Sequence, residues 1–432
     1  MSKHLSSMMV AVFAAAMLYP APVFARHRPG SGQLNGYLTG VLGAVLASAM
    51  FFAGAALADH RPIDVVVMGG TISQTGREAV RAGLIWNGRK MYVDELNARG
   101  GLLGHTVELK IHDDRSDKRT AIELYERLIT DEKVDLVLGP YGSRLTDPVA
   151  NIMERYKQPF IAHATNPAIY QRGRKYIFSI PNPSARDRPK GSLHVAKEIG
   201  IERIAIISTA RATNLHIVVG AQEWAKRIGL KVVLSERYPE TQKDFTDLLQ
   251  RIKASGAEAI ISIASLPETV IQLQQLRQLK INLKMFATSS AARLPEFVEE
   301  LGSTAEYVVG YSAWEPKPVL GYPGIKAFVE NYQKNYGVKP SHHAAAGYAA
   351  MQILVTAVKE ARDFDPENVR NALTSLKVDT VRGSYKASNQ GLSRIDTVAI
   401  QIQNGERVIV WPEHQAEAKF LSMPKWEERV NK

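Results

Sequence analysis

Val137-Leu138-Gly139-Pro140-Tyr141-Gly142-Ser143 and Pro159-Phe160-Ile161-Ala162-His163-Ala164-Thr165-Asn166-Pro167 follow one plan: an apolar run ends abruptly on small polar residues. A helix-like run follows the first. Strand carboxyl ends and helix amino ends are where open α/β sheets hold ligands, because free backbone N–H groups and the positive end of the helix dipole point there. The pattern predicts a cleft that takes something small and partly anionic.

Outward from this stretch, apolar strand-like runs alternate with amphipathic helix-like runs. Ile63 to Met68, Val107 to Ile111, Val134 to Leu138 and Phe160 to Ala162 read as buried parallel strands. Gly88, Tyr92 and Leu96 recur at helical spacing before an Arg99-Gly100-Gly101 stop, and Ala121, Leu124 and Leu128 recur likewise. This is a βαβ series. After a break at Pro181-Asn182-Pro183 a second series begins, with strands at Ile204 to Ile207, Val232 to Leu234, Ile260 to Ile263 and Met285 to Ala287. Helical patterns return at Tyr322 to Tyr336 and His343 to Ala361, and Thr397 to Ile402 alternates as a strand does. The expected fold is α/β, two doubly wound lobes.

Composition narrows the classes. With 432 residues, 45% hydrophobic and 22% charged, the chain is globular and large enough for two domains plus extras. The formal net charge of +11 is scattered and lacks basic runs interleaved with aromatics, which argues against nucleic acid and reads as a generally basic surface. Two apolar stretches, Met8 to Ala25 and Leu38 to Ala58, each follow a basic flank and resemble export signals. The second ends Ala56-Leu57-Ala58-Asp59, a small-x-small cleavage pattern, so residues 1–58 are expected to be a leader; a two-helix membrane anchor is the competing reading. There is no cysteine, which removes lipid anchoring at the cleavage site, disulfides and zinc–thiolate sites. The expected location is a periplasm.

Four motifs in order carry a resemblance: Tyr92-Val93-Asp94-Glu95-Leu96-Asn97-Ala98-Arg99-Gly100-Gly101-Leu102-Leu103-Gly104, Asp113-Asp114-Arg115-Ser116-Asp117, Leu138-Gly139-Pro140-Tyr141 and Ala164-Thr165-Asn166-Pro167. Across residues 62 to 410 the chain resembles periplasmic binding proteins of the branched-chain amino-acid type. The resemblance implies a type I periplasmic-binding fold, with two lobes joined by three hinge crossings near Ser179 to Pro183, Gly310 to Ala313 and Val378 to Ser384. It assigns 59–181 plus 313–379 to one lobe and 182–312 plus 380–432 to the other. It also implies a small-molecule solute, ABC permease subunits as partners, a monomer, no cofactor and no catalysis.

Carried over residue by residue, the resemblance puts Ser143 at a helix amino end, where its hydroxyl and nearby N–H groups would bind a ligand carboxylate. Thr165 and the backbone at His163 would take the remaining hydrogen bonds, with Tyr141, Gly142 and Ala164 alongside. A helix-capping Ser143 and a partly buried loop His163 are the structural alternative. Gln74 and Arg81 lie between the first strand and first helix; Arg81 is a candidate for bidentate pairing with a carboxylate, and an exposed loop arginine is the alternative. Thr213, Ser265 and Ser289 complete the set. Here the chain departs from the family: Ser289 stands where amino-acid binders place an acid against the ligand ammonium, and Thr213 stands where an aromatic is expected. An ammonium buried without a counter-charge costs several kcal/mol, so a simple aliphatic amino acid fits poorly unless Glu268 or Glu315 compensates. Trp86 and Trp314 are candidate apolar walls or core packing. His342-His343 reads as a helix start, not a metal site. No nucleophile elbow, phosphate loop, zinc helix or dinucleotide fingerprint occurs. The remaining alternative is a ligand-sensing receptor component of the same fold.

Overall fold

The computed structural model describes residues 65–289 and 291–429, apart from the side chains of residues 212, 213 and 295. The expected leader, Ser290 and the side chain of Thr213 lie outside the described residues. Among the described residues no helix is long and apolar enough to cross a membrane.

The first layer alternates strand and helix: β1 (Val65–Ile72), α1 (Ala79–Ala98), β2 (Thr106–Asp113), α2 (Lys118–Thr130), β3 (Leu136–Tyr141), α3 (Ser143–Tyr156), β4 (Phe160–His163) and β5 (Ile177–Ser179). Its strands lie in the order β2-β1-β3-β4-β5, all parallel. Parallel strands need helical crossovers on both faces, which is why β3 and β4 are buried and apolar throughout most of their length. Strand β1 continues past Met68 to Ile72 because the two glycines there do not interrupt pairing with β2. The Asp117 side chain accepts from the N–H groups of Arg119 and Thr120 and so starts α2. Tyr125, Leu128, Val149, Met153 and Phe160 pack between these helices and the sheet.

The second layer contains α4 (Lys190–Glu198), β6 (Arg203–Thr209), α5 (Ala212–Arg227), β7 (Lys231–Tyr238), α6 (Thr246–Ala254), β8 (Ala259–Ile263), α7 (Leu266–Gln278), β9 (Met285–Thr288), α8 (Pro295–Leu301) and β10 (Val309–Ser312). The chain then runs through α9 (Ile325–Tyr336), α10 (His342–Ala361) and α11 (Pro366–Ser375), a hairpin of β11 (Lys377–Thr380) and β12 (Gly383–Lys386), and finally β13 (Val398–Gln403) and β14 (Glu406–Trp411). The second sheet has the order β14-β13-β10-β9-β8-β6-β7; β13 is antiparallel to both β10 and β14. Helix α10 packs on α1 and β4, which attaches it to the first sheet.

Where the chain passes from one sheet to the other, its segments support one another. Ser179 N–H donates to the Gly391 carbonyl at 2.8 Å, Ser393 N–H donates to Ser179 Oγ at 2.8 Å, and Asn182 bridges Arg394 in parallel. Gly310 to Ser312, within the expected crossing at Gly310 to Ala313, lie in β10. Val378 to Ser384 forms the β11–β12 hairpin, and the passage back to the second sheet follows it.

Candidate functional site

The carboxyl ends of β3 and β4 open on a cleft of about 320 Å3. Its lining comes from both sheets and from the segments between them: Arg81, Tyr141, Gly142, Ser143, His163, Thr165 and, from α10 packed on the first sheet, His342 and His343; Arg188, Arg293 and Tyr311 from the second layer; and Asn182 and Arg382 between.

Ser143 is the first residue of α3, and Gly142 before it has φ +83°, a backbone shape that disfavours any other residue. A glycine supplies no capping side chain, so the start of α3, which lines the cleft at Gly142 and Ser143, carries no side-chain cap. Ser143 is not a cap either. Its Oγ accepts from the N–H groups of Thr165 and Asn166, both at 3.2 Å, and so holds the loop after β4 against α3. With both lone pairs used in this way, the hydroxyl proton is left to donate to an acceptor in the cleft.

His163 is 4% exposed, and neither ring nitrogen has a hydrogen-bond partner. Burial first, then the charges of Arg89, Arg382 and His343, hold its imidazolium form well below the ordinary value, so it presents a neutral ring with one donor and one acceptor. Its carbonyl accepts from Gly142 N–H at 3.3 Å. His342 opens α10 behind the Ser341 cap and is likewise held well below the ordinary value, by burial and then His343; His343 falls to about 4 by burial and then Arg382. His343 meets Tyr141 edge-on at 5.5 Å.

The cations dominate. Arg188 and Arg293 both lie over the Tyr311 ring, at 5.4 and 5.5 Å from its centroid, and the Nε of each is buried without an acceptor. Arg382 is 3% exposed and donates to the carbonyls of Pro181 (3.2 Å) and His342 (2.9 Å) and to Asn182 Oδ1 (3.3 Å). Burial lowers it to about 10, so it stays charged at neutral pH. Among the described residues no ion pair reaches these three arginines, and no aspartate or glutamate lines the cleft; the exposed Arg81 alone has a carboxylate, Glu78 at 3.6 Å. Like charges roughly 10 Å apart repel by about 1.5 to 2 kcal/mol at an effective dielectric of 20. An anion placed among these arginines would offset their mutual repulsion.

Of the residues singled out in the sequence, the cleft brings together Arg81, Tyr141, Gly142, Ser143, His163 and Thr165. His342 and His343, read as a helix start, also line it, whereas Ala164, Gln74, Thr213, Ser265 and Ser289 do not. Ala164 is buried and gives its carbonyl to the Tyr170 hydroxyl. Gln74 is exposed in a loop whose backbone is tied to Asp113 at 2.8 Å. Thr213 lies in α5, Ser265 bonds Glu268 at the start of α7, and Ser289 lines a small neighbouring cavity beside Arg188. The acids weighed as ammonium partners are committed elsewhere, Glu268 to Arg211 at 3.5 Å and Glu315 to Arg407 at 3.4 Å. Trp314 is core, its Nε1 donating to Val381 O, and Trp86 packs beside Ile72, Ala82 and Ile85. Tyr311 and Arg382 fall within the crossings that the resemblance implies at Gly310 to Ala313 and Val378 to Ser384, whereas no local motif marks Arg188 or Arg293, for which the basic excess is the available signal.

Residues 66–402 match the family described as Periplasmic binding protein. Among curated relatives, Leu/Ile/Val-binding protein homolog 7 of Brucella melitensis is 25% identical over 80% of this chain and 90% of its own length. The isoleucine complex of the branched-chain amino acid transporter substrate binding protein LivJ from Streptococcus pneumoniae superposes with a TM-score of 0.65 at 21% identity, covering 83% of this chain and 100% of that one. A solute binding protein of an ABC transporter from R. palustris in complex with benzoate has a TM-score of 0.60 at 17% identity, over 80% and 95%. The chain belongs to the periplasmic binding protein family, with the type I, branched-chain amino-acid-type architecture.

Proposed function

We propose that this protein is the periplasmic solute-binding subunit of an ABC importer, which captures an amino acid or related carboxylate or amide solute between two lobes and delivers it to permease subunits. The lobes of this reading are 59–181 plus 313–379 and 182–312 plus 380–432. It works by binding and release, without turnover. The observation that carries the reading is a cleft lined from both sheets in which Ser143 and the start of α3 present donors and the facing side presents cations. Relatives fit it: one is named for leucine, isoleucine and valine, and neighbours of the same fold hold isoleucine or benzoate. The leader of this reading is removed after Ala58.

The test is physiological. Protein released by osmotic shock is expected to begin at Asp59, deletion of the chain should abolish high-affinity uptake of its solute, and Ser143→Ala should restore uptake poorly. Undiminished uptake in the deletion strain, or retention of the uncleaved chain in the membrane fraction, would overturn it.

A further inference from the structure

The cleft's charge balance differs from what a zwitterion needs. A zwitterionic amino acid brings one carboxylate and one ammonium, and the ammonium requires an acid; among the described residues the lining offers none. A simple monocarboxylate brings one negative charge to Arg188, Arg293 and Arg382, none of which has an ion pair among the described residues. Two of the three keep a buried Nε without an acceptor, and the buried His163 ring adds two unpartnered nitrogens. These donors sit on both sides: His163 and Ser143 belong to the first layer, whereas Arg188 and Arg293 flank Tyr311 on the second.

We infer that the cleft selects a solute with two separated carboxylates and no cationic group. One carboxylate accepts hydrogen bonds from the Ser143 hydroxyl, the N–H groups at the start of α3 and the donor nitrogen of the His163 ring. The other is received by Arg188 and Arg293, whose planar forks match a carboxylate bidentately. Arg382, fixed between the layers by Pro181, Asn182 and His342, compensates charge between them. Two point-separated charges suit this layout better than one phosphate dianion, which would concentrate both charges at one wall. The inference rests on the solute-capture reading above and narrows it.

Titration calorimetry on the secreted protein, with succinate, glutarate and phthalate against butyrate, benzoate, phenyl phosphate and leucine, tests it. At least one dicarboxylate is expected to bind about ten- to a hundredfold more tightly than the matching monocarboxylate, the scale of an added charge-assisted pair. Arg293→Gln should remove most of that preference while changing monocarboxylate affinity less, and Arg293→Lys should restore part of it, which a folding defect would not. Equal affinity for mono- and dicarboxylates, or a preference for phenyl phosphate, overturns the inference. Binding of leucine alone, lost in Ser143→Ala, also overturns it yet leaves solute capture at this cleft standing. Binding of any probe that is indifferent to both Ser143→Ala and Arg293→Gln overturns the cleft assignment itself.

Discussion

At the residue scale, the three histidines of the cleft have a measurable signature. In the unfolded chain each titrates near 6.5, whereas burial and neighbouring arginines keep the folded His163, His342 and His343 neutral well below that, His343 to about 4. The unfolded state therefore binds more protons between these values, and stability is lost as pH falls from about 6.5 toward 4. The urea midpoint of the unliganded protein is expected to drop between about pH 7.5 and 5.5. His343→Gln should flatten that drop, and an identical drop in the variant would remove His343 from the account. A bound anion acts in the opposite sense, since it favours the imidazolium and should make binding take up protons. Ser143 teaches a separate point: both sequence readings, cap or ligand donor, missed its role in holding the loop after β4, which leaves its proton available for a ligand.

Among the elements, the pairing of α1 with α10 positions much of the site. Gly88 lies where an added Cβ would come within 2.1 Å of the Ala344 carbonyl oxygen, and Gly347 where one would come within 2.1 Å of the Ile85 carbonyl oxygen. The two backbones touch reciprocally, and the same helices carry Arg81, Ile85, His342 and His343 into the cleft. Neither oxygen can rotate aside, so Gly88→Ala and Gly347→Ala should each destabilise by about 1 to 3 kcal/mol through forced separation of the helices. Chemical denaturation measures this, and a calorimetric titration should show weakened solute binding in the same variants. Wild-type stability in both would mean that the helices part freely. The helical period made α1 legible from Gly88, Tyr92 and Leu96, but nothing in that period says that Gly88 faces another helix more than 250 residues away in the chain.

For the whole molecule, the passages between the sheets determine what binding does. Arg382 ties the first of them to the start of α10, and Ser179 ties it to Gly391 and Ser393. A solute that bridges donors on both layers is expected to draw the layers together and shift the population toward a more closed arrangement. X-ray scattering is expected to show a smaller radius of gyration when the acid that binds most tightly in the calorimetric panel is present at saturation. An unchanged radius would argue for a rigid cleft. The alternating α/β architecture, the two series of strands and the place of Ser143, His163 and Thr165 were legible from the residues alone, because these depend on local periodicity and on turns that follow strands directly. The convergence of Arg188, Arg293 and Arg382, drawn from three distant segments, on one cleft whose described lining carries no carboxylate emerges only in three dimensions. So does the pairing of Glu268 with Arg211 and of Glu315 with Arg407. Charge balance in a cavity is a sum over residues that the chain brings together in space, and no local pattern encodes that sum.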